Sequence, residues 1–229
     1  MMATNLNRSD AIYASLRRAI LEQALAPGTK LPEDSIGETF GVSRTGVRNA
    51  FVRLSSEGLV EMRPNKGAAV ATPTLEEAAD VFTLRRAIEC EIVKRLCERI
   101  SKETIDALLA HVKEEERALL NPSPRSIRLA GEFHILLAEL TQSAYMTDMV
   151  SQVVSRSSLI LARFGRPHSA ECGIDEHYKL IEALKVQDAE AAMLIMRSHL
   201  DAVEERAYQE DEVSLPDAAS ILRKYAESM

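Results

Sequence analysis

The chain is predicted to be mainly α-helical and built in two parts, a small N-terminal unit of three helices and one β-hairpin followed by an all-helical remainder. Three observations carry this. Apolar residues recur at three- and four-residue spacing through most of the 229 residues. The one change to a strand-like pattern falls at Leu59–Ala71. Thr72-Pro73-Thr74 then interrupts the chain just before a long helical run.

Taken in order, Ser9-Asp10 starts a helix whose buried face is Ile12, Leu16 and Ile20, and Pro27-Gly28 ends it. A short second helix fits Glu33–Phe40, closed by Gly41 at the position where a left-handed residue is usual. Ser43 caps the third, which buries Val47, Phe51 and Leu54 and is closed by Gly58. Leu59–Arg63 and Ala68–Ala71 form the only convincing strand pair, around the turn Pro64-Asn65-Lys66-Gly67. Thr74 and Glu77 make a capping box that places the domain boundary between residues 1–73 and 74–229. Beyond it, helices are expected over Leu75–Ile100, Lys102–Leu120, Pro124–Leu140, Ala144–Phe164, Asp175–Val186 and Ala189–Glu210, separated by turn signals such as Asn121-Pro122, with a last short one over Pro216–Glu227.

Composition narrows the class. With 46% hydrophobic and 28% charged residues the chain can bury a core and is not wholly disordered. No stretch approaches the ~20 apolar residues of a membrane span, and Met1–Asp10 lacks a signal-peptide core, so the cytoplasm is the expected location. Cys90 and Cys97 stand seven residues apart on one helix, ~10 Å of rise and too far to bridge, which leaves Cys172 alone and predicts no disulfide framework. The net charge of −7 opposes nucleic-acid binding until the chain is divided. Up to Pro73 nine basic residues face seven acidic ones, and afterwards nineteen face twenty-eight. Between Thr39 and Ser56 stand Arg44, Arg48 and Arg53 and no acid, a local patch of the kind a phosphate backbone needs.

Three helices followed by a hairpin is the order of a winged helix-turn-helix, whose third helix enters the major groove while the hairpin tip lies at the adjacent groove. Ser43, Arg44, Thr45 and Arg48 therefore present hydroxyls, helix-start amides and guanidinium forks to phosphate and guanine. Asn65, Lys66 and Gly67 form a small basic tip able to approach the backbone. The residues carry a resemblance as well. The run Gly41-Val42-Ser43-Arg44-Thr45-Gly46-Val47-Arg48, with Ala26-Pro27-Gly28 and Leu31-Pro32 before it and Glu57-Gly58-Leu59-Val60 and Arg63-Pro64-Asn65-Lys66-Gly67 after it, resembles the winged-helix signature of GntR-family bacterial transcription regulators. That resemblance implies DNA contacts at Arg44, Arg48 and Gly67, with Ser43, Thr45 and Lys66 as phosphate neighbours. Gly46 stands where the family more often has proline, which is expected to loosen the helix start, and a basic contact of some members falls near the acidic Asp34.

In the helical remainder His134, His177 and His199 each lie on a predicted helix. Imidazole is the commonest side-chain ligand for first-row metals, and three on separate helices can converge in a bundle; scattered core or surface histidines are the alternative that spacing leaves open. Leu84-Arg85-Arg86-Ala87-Ile88-Glu89, Phe133-His134-Ile135-Leu136-Leu137, Glu176-His177-Tyr178-Lys179-Leu180 and Met196-Arg197-Ser198-His199-Leu200 resemble the FadR-type, or FCD, effector domain. This resemblance implies an antiparallel helical bundle, dimeric, enclosing a small organic acid, with a divalent metal (zinc, nickel or similar) on an aspartate and three histidines. Here Ala130 replaces that aspartate one turn before His134, and Glu132 points to another face. Arg85 is a candidate effector contact, with a salt bridge to Glu89 as its alternative.

The resulting expectation is a ligand-responsive transcriptional regulator, a homodimer on double-stranded operator DNA, with repression relieved by a small carboxylic acid. A metal-dependent enzyme with a DNA-binding appendage is the chief rival, but no nucleophile motif, general base or phosphate loop supports it. A constitutive DNA binder without an effector is the third reading.

Overall fold

The computed structural model describes residues 8–64, 67–120, 124–165 and 171–208. The expected helix at Pro216–Glu227, the turn pair Asn121-Pro122, the wing-tip residues Asn65 and Lys66, and the side chain of Cys172 lie outside the described residues.

The first part contains α1 (Arg8–Leu21), β1 (Lys30–Leu31), α2 (Glu33–Phe40), α3 (Arg44–Ser56), β2 (Val60–Arg63) and β3 (Gly67–Val70). Helix α1 buries Ile12, Leu16 and Ile20 as its spacing dictates. It stops six residues before Pro27, where the sequence placed its end. Gln23 turns left-handed at φ 56°, and the amide of Ala24 reaches back to the Ala19 carbonyl at 2.9 Å, so the last turn is closed by a C-cap that a glutamine does not advertise. Pro27-Gly28 serves a different purpose. Gly28, at φ 84°, donates its amide to the Val70 carbonyl and lays the chain beside the hairpin.

That contact creates a strand absent from the expectation of a two-stranded hairpin. Lys30 and Leu31 pair antiparallel with Ala69 and Ala68, giving a three-stranded sheet in the order β1-β3-β2. A two-residue strand has no alternation to read, and it exists because β3 offers its second edge. On the other edge Val60 pairs with Val70 and Arg63 with Gly67, one residue tighter than the expected four-residue turn, which would set Arg63 against Ala68, because Gly67 joins the strand. Gly41 caps α2 in the left-handed conformation, and the Ser43 hydroxyl caps α3 by accepting the Gly46 amide. Val47, Phe51 and Leu54 face the core beneath.

The second part is helical throughout its described residues: α4 (Leu75–Glu98), α5 (Lys102–Leu120), α6 (Arg125–Leu140), α7 (Ala144–Phe164), α8 (Glu171–Lys185) and α9 (Ala189–Ala207). Helix α8 starts four residues before the expected Asp175. Thr74 accepts the Glu77 amide, and the Glu77 carboxylate is lowered in part by a hydrogen bond from the Thr74 backbone, so both halves of the expected box are present. The Glu77 carboxylate also takes both arms of Arg156 on α7, a charge-assisted fork stronger than the bond to the backbone amide. Helices α4 and α9 run antiparallel, Arg86 meeting Glu204 and Cys90 meeting Met193. Cys90 and Cys97 are buried free thiols. No helix among the described residues is long and apolar enough to cross a membrane.

Helix α7 belongs to both parts. Leu159 is fully buried in the core otherwise built from residues between Ile12 and Ala71, while Val150 and Val154 pack in the bundle. Arg156 also donates to the Gly58 carbonyl at 2.9 Å, Arg163 to that of Pro73, and Arg128 of α6 pairs with Glu22 at 3.0 Å. Leu159→Ala is expected to cost ~2–4 kcal/mol in urea unfolding, a cavity in a closed core, and to speed amide exchange in α1 and α3 as well as in α7. Unchanged protection in α1 and α3 would show that the first core closes without it.

Candidate functional site

Two places gather the residues singled out by the sequence. The first is the outer face of α3. Arg44, Thr45 and Arg48 stand exposed along its first turns, opposite the buried Val47 and Phe51. Gly46 leaves the helix start regular. A Cβ there would come within 2.3 Å of the Val42 side chain, which packs into the space the missing side chain vacates. Gly67, at φ 78° with open space around it, lets the wing turn at the tip. Both exposed arginines carry partners on α2: Arg44 forks onto Asp34, with Nη2 to Oδ2 at 2.7 Å, and Arg48 Nε meets Glu33 at 2.8 and 3.0 Å. Arg53, the third arginine of the patch, pairs with Asp10 and lies over the Tyr13 ring.

The second place is the centre of the bundle. His134 of α6, His177 of α8 and His199 of α9 converge there, one ring nitrogen of each lying within 4.8 Å of the others. All three are buried. Every one has its Nδ1 against a carboxylate: His134 on Glu89 at 2.5 Å, His177 on Glu115 at 3.0 Å, His199 on Glu176 at 2.6 Å. A carboxylate at Nδ1 accepts that proton and turns the Nε2 lone pair inward, the arrangement that presents histidine to a metal. The Nε2 atoms of His134 and His199 stand 3.2 Å apart, and the Nε2 of His177 is buried without a hydrogen-bond partner. Lone pairs facing at that distance repel unless a proton or cation lies between them. The separation is close to the ~3.3 Å that two nitrogens ~2.05 Å from one tetrahedral ion would span. The donor set therefore fits a divalent cation.

The electrostatics agree. Burial alone would push the Glu89 carboxyl up, but the Arg85 charge and the hydrogen bonds from His134 and Arg85 prevail and hold it at about 2. Burial drives the His134 imidazole down to about 3, and His177 well below its ordinary value, so both rings are neutral at physiological pH, as ligation requires. The hydrogen bond from His199 lowers Glu176. Glu115 differs, because burial raises its carboxyl to about 8, so near neutral pH without a cation it keeps a proton and only its other oxygen is left to accept from His177 Nδ1.

Arg85 takes the alternative the sequence left open and adds to it. Its Nε pairs with Glu89 at 2.7 Å and Nη1 donates to Ser157 at 3.0 Å, while Nη2 is buried with no hydrogen-bond partner. Ala130 leaves no carboxylate at its position, and Glu132 pairs with Arg128, away from the rings.

Sequence reasoning missed Glu115 and did not assign Glu89 and Glu176 to the histidines. Glu115 lies in the run Glu114-Glu115-Glu116, which reads as a solvated face, and only its burial among helices distinguishes it. Phe133 was visible as a neighbour of His134, yet its ring stacks on His177 at 3.9 Å.

Comparison with known proteins decides the family. The model for bacterial regulatory proteins of the gntR family matches residues 8–70, and that for the FCD domain matches residues 80–202. The chain is a GntR-family regulator with an FCD domain. It is 27% identical over 200 residues to the HTH-type transcriptional repressor RspR of Escherichia coli, covering 86% of this chain and 88% of that one. An HTH-type regulator from the unstable DNA locus of Streptomyces ambofaciens is 30% identical over 200 residues, with 86% and 83% covered. Among solved structures, E. coli McbR/YncC superposes with a TM-score of 0.75 at 19% identity over 86% of this chain and 95% of that chain, a likeness of fold. A GntR regulator of Rhodococcus sp. RHA1 gives 0.75 at 25% identity over 87% and 97%. GntR-type DNA binding and an FCD effector domain make the chain a DNA-binding transcriptional regulator controlled by a ligand.

Glu115 offers a test by pH. Its folded-state value lies above the ordinary 4.5, so between there and about 8 the folded chain retains a proton the unfolded chain has lost, and stability falls as pH rises. In chelator-treated protein, Glu115→Gln is expected to gain thermal midpoint on the wild type steadily across that window. Parallel curves would refute the assignment.

Proposed function

We propose that this regulator binds operator DNA as a homodimer, through Ser43, Arg44, Thr45, Arg48 and the wing residues Asn65, Lys66 and Gly67, and releases it when a small carboxylic acid enters the bundle. The division of labour falls at Thr74, with residues 1–73 reading DNA and 74–229 sensing and dimerising. His134, His177 and His199 hold a divalent cation, zinc, nickel or a similar ion. The observation that carries the sensing half is the buried convergence of three imidazoles, each oriented by its own carboxylate.

A bound cation supplies positive charge and open positions to an oxygen ligand. The protein's own residues do the rest. Glu89, Glu115 and Glu176 keep the ring nitrogens aimed inward. Ala130 contributes no anion, so more of the cation's charge is left for the effector's carboxylate. Arg85, fixed by Glu89 and Ser157, has its Nη2 proton uncommitted and suited to a second carboxylate oxygen. The chain works by binding, without turnover.

Helix α7 supports a route from this site to the reading head. Ser157 touches Arg85, while its neighbour Arg156 grips Glu77 and the Gly58 carbonyl. An effector that pulls on Arg85 shifts the balance between two settings of α7, and a coupling of ~1–3 kcal/mol is the usual scale of such control.

Elemental analysis and native mass spectrometry of purified protein are expected to find one divalent cation per chain, lost in His177→Ala. A salt-sensitive anisotropy titration on the promoter of its own gene should show sequence-selective binding, weakened by a panel of small mono- and dicarboxylic acids in the wild type and not in Arg85→Ala. Arg44→Ala or Arg48→Ala is expected to cost ~1–3 kcal/mol with relaxed preference at one base, and Lys66→Ala to weaken all duplexes alike and flatten the salt slope by about one. Sequence-blind losses at all three positions would contradict the groove assignment.

A further inference from the structure

The two arginines placed on the DNA-facing side of α3 are each held by an acid from the first turn of α2, and those acids need a physical account. A carboxylate on a surface that meets a polyanion repels it. The Arg44–Asp34 pair returns little stability for that cost, with side chains 72% and 60% exposed, and the Arg48–Glu33 pair joins a 64% exposed arginine to a 17% exposed glutamate. Their geometry suggests what they do instead. Asp34 takes Nε and Nη2 of Arg44, one edge of the planar fork. Glu33 takes only Nε of Arg48, with both its oxygens. In each case the terminal edge, Nη1 with the outer side of Nη2, has no partner among the described residues. That edge carries two parallel N–H donors and can span guanine O6 and N7.

We infer that Asp34 and Glu33 are positioning residues for base recognition: they clamp the near edge of Arg44 and Arg48 so that the far edge of each is presented, ordered before contact, to a guanine. A free arginine must surrender its rotamer freedom on binding, and a clamped one has already done so. The clamp also penalises wrong bases. A fork held in place cannot swing to a phosphate when the guanine is missing, so nonspecific binding loses contacts that specific binding keeps. Acids at this position thus trade total affinity for discrimination. Both also sit favourably at the start of α2, which Pro32 leaves without a side-chain cap, so a purely structural role is the competing explanation.

The inference rests on the proposed DNA-reading role of Arg44 and Arg48, and the experiment separates the two. The probe is a duplex selected in vitro by the full-length wild-type protein from a random library, with every single-base-pair variant of it, titrated at fixed salt. Asp34→Ala is expected to leave nonspecific binding equal or stronger while discrimination at one guanine falls roughly threefold to tenfold, part of what a bidentate contact supplies. Glu33→Ala should act likewise at a second guanine. Each effect should vanish in the Arg44→Lys or Arg48→Lys background respectively, where no fork remains to be clamped. Asp34→Glu should restore part of it. Asp34→Ala tightening all duplexes equally, with the base preference intact, would overturn the inference, as would a loss of preference that persists beside Arg44→Lys, which would make Asp34 itself the reader. If Arg44→Ala and Arg48→Ala leave DNA binding unchanged, it is the reading of α3 that fails, and the inference with it.

Discussion

A helical bundle that places three imidazoles, two glutamates and a guanidinium in its interior must satisfy every one of them, and this requirement shapes the second half of the molecule. Ionisable groups taken out of water are costly unless paired. The pairs here are specific: Arg85 with Glu89, Glu89 with His134, Glu115 with His177, and the half-buried Glu176 with His199. Each partner comes from a different helix than its histidine, α4 to α6, α5 to α8 and α8 to α9, so the network ties the helices to one another. What it leaves unsatisfied is as informative. Within the network two buried nitrogens, His177 Nε2 and Arg85 Nη2, have no hydrogen-bond partner among the described residues.

The reading head depends on the bundle more closely than two beads on a string would. Its hydrophobic core is completed by Leu159, and its loops are held through backbone carbonyls by Arg156 and Arg163, all from α7. Carbonyl acceptors impose position without demanding a particular side chain. One helix thus carries Ser157 toward the polar centre and Arg156 toward the head, and motion of α7 cannot be felt by one half alone.

Much of this was legible in advance, and the exceptions share a cause. Helices α2, α5 and α7 fall at the bounds expected from apolar spacing and caps, because Gly41, Ser101 and Ser143 mark those bounds locally. The end of α1 was misplaced because Gln23 adopts a left-handed conformation with no compositional sign of it. Strand β1 was missed because its two residues acquire strand character only from the edge of β3. The capping box at Thr74 was legible, but the fork its Glu77 makes to Arg156, 79 residues away, was not, because no local pattern marks it.

The three histidines, the arginines of α3 and the hairpin could be named from the sequence because each is a residue type at a readable local position. Which of them meet was beyond it. Convergence of three rings from α6, α8 and α9, the choice of Glu115 over its neighbours Glu114 and Glu116, and the grip of Asp34 on Arg44 and of Glu33 on Arg48 depend on distances between elements. Periodicity is a property of one helix at a time. Burial, and with it the charge state of every group at the centre, is set only when the helices pack.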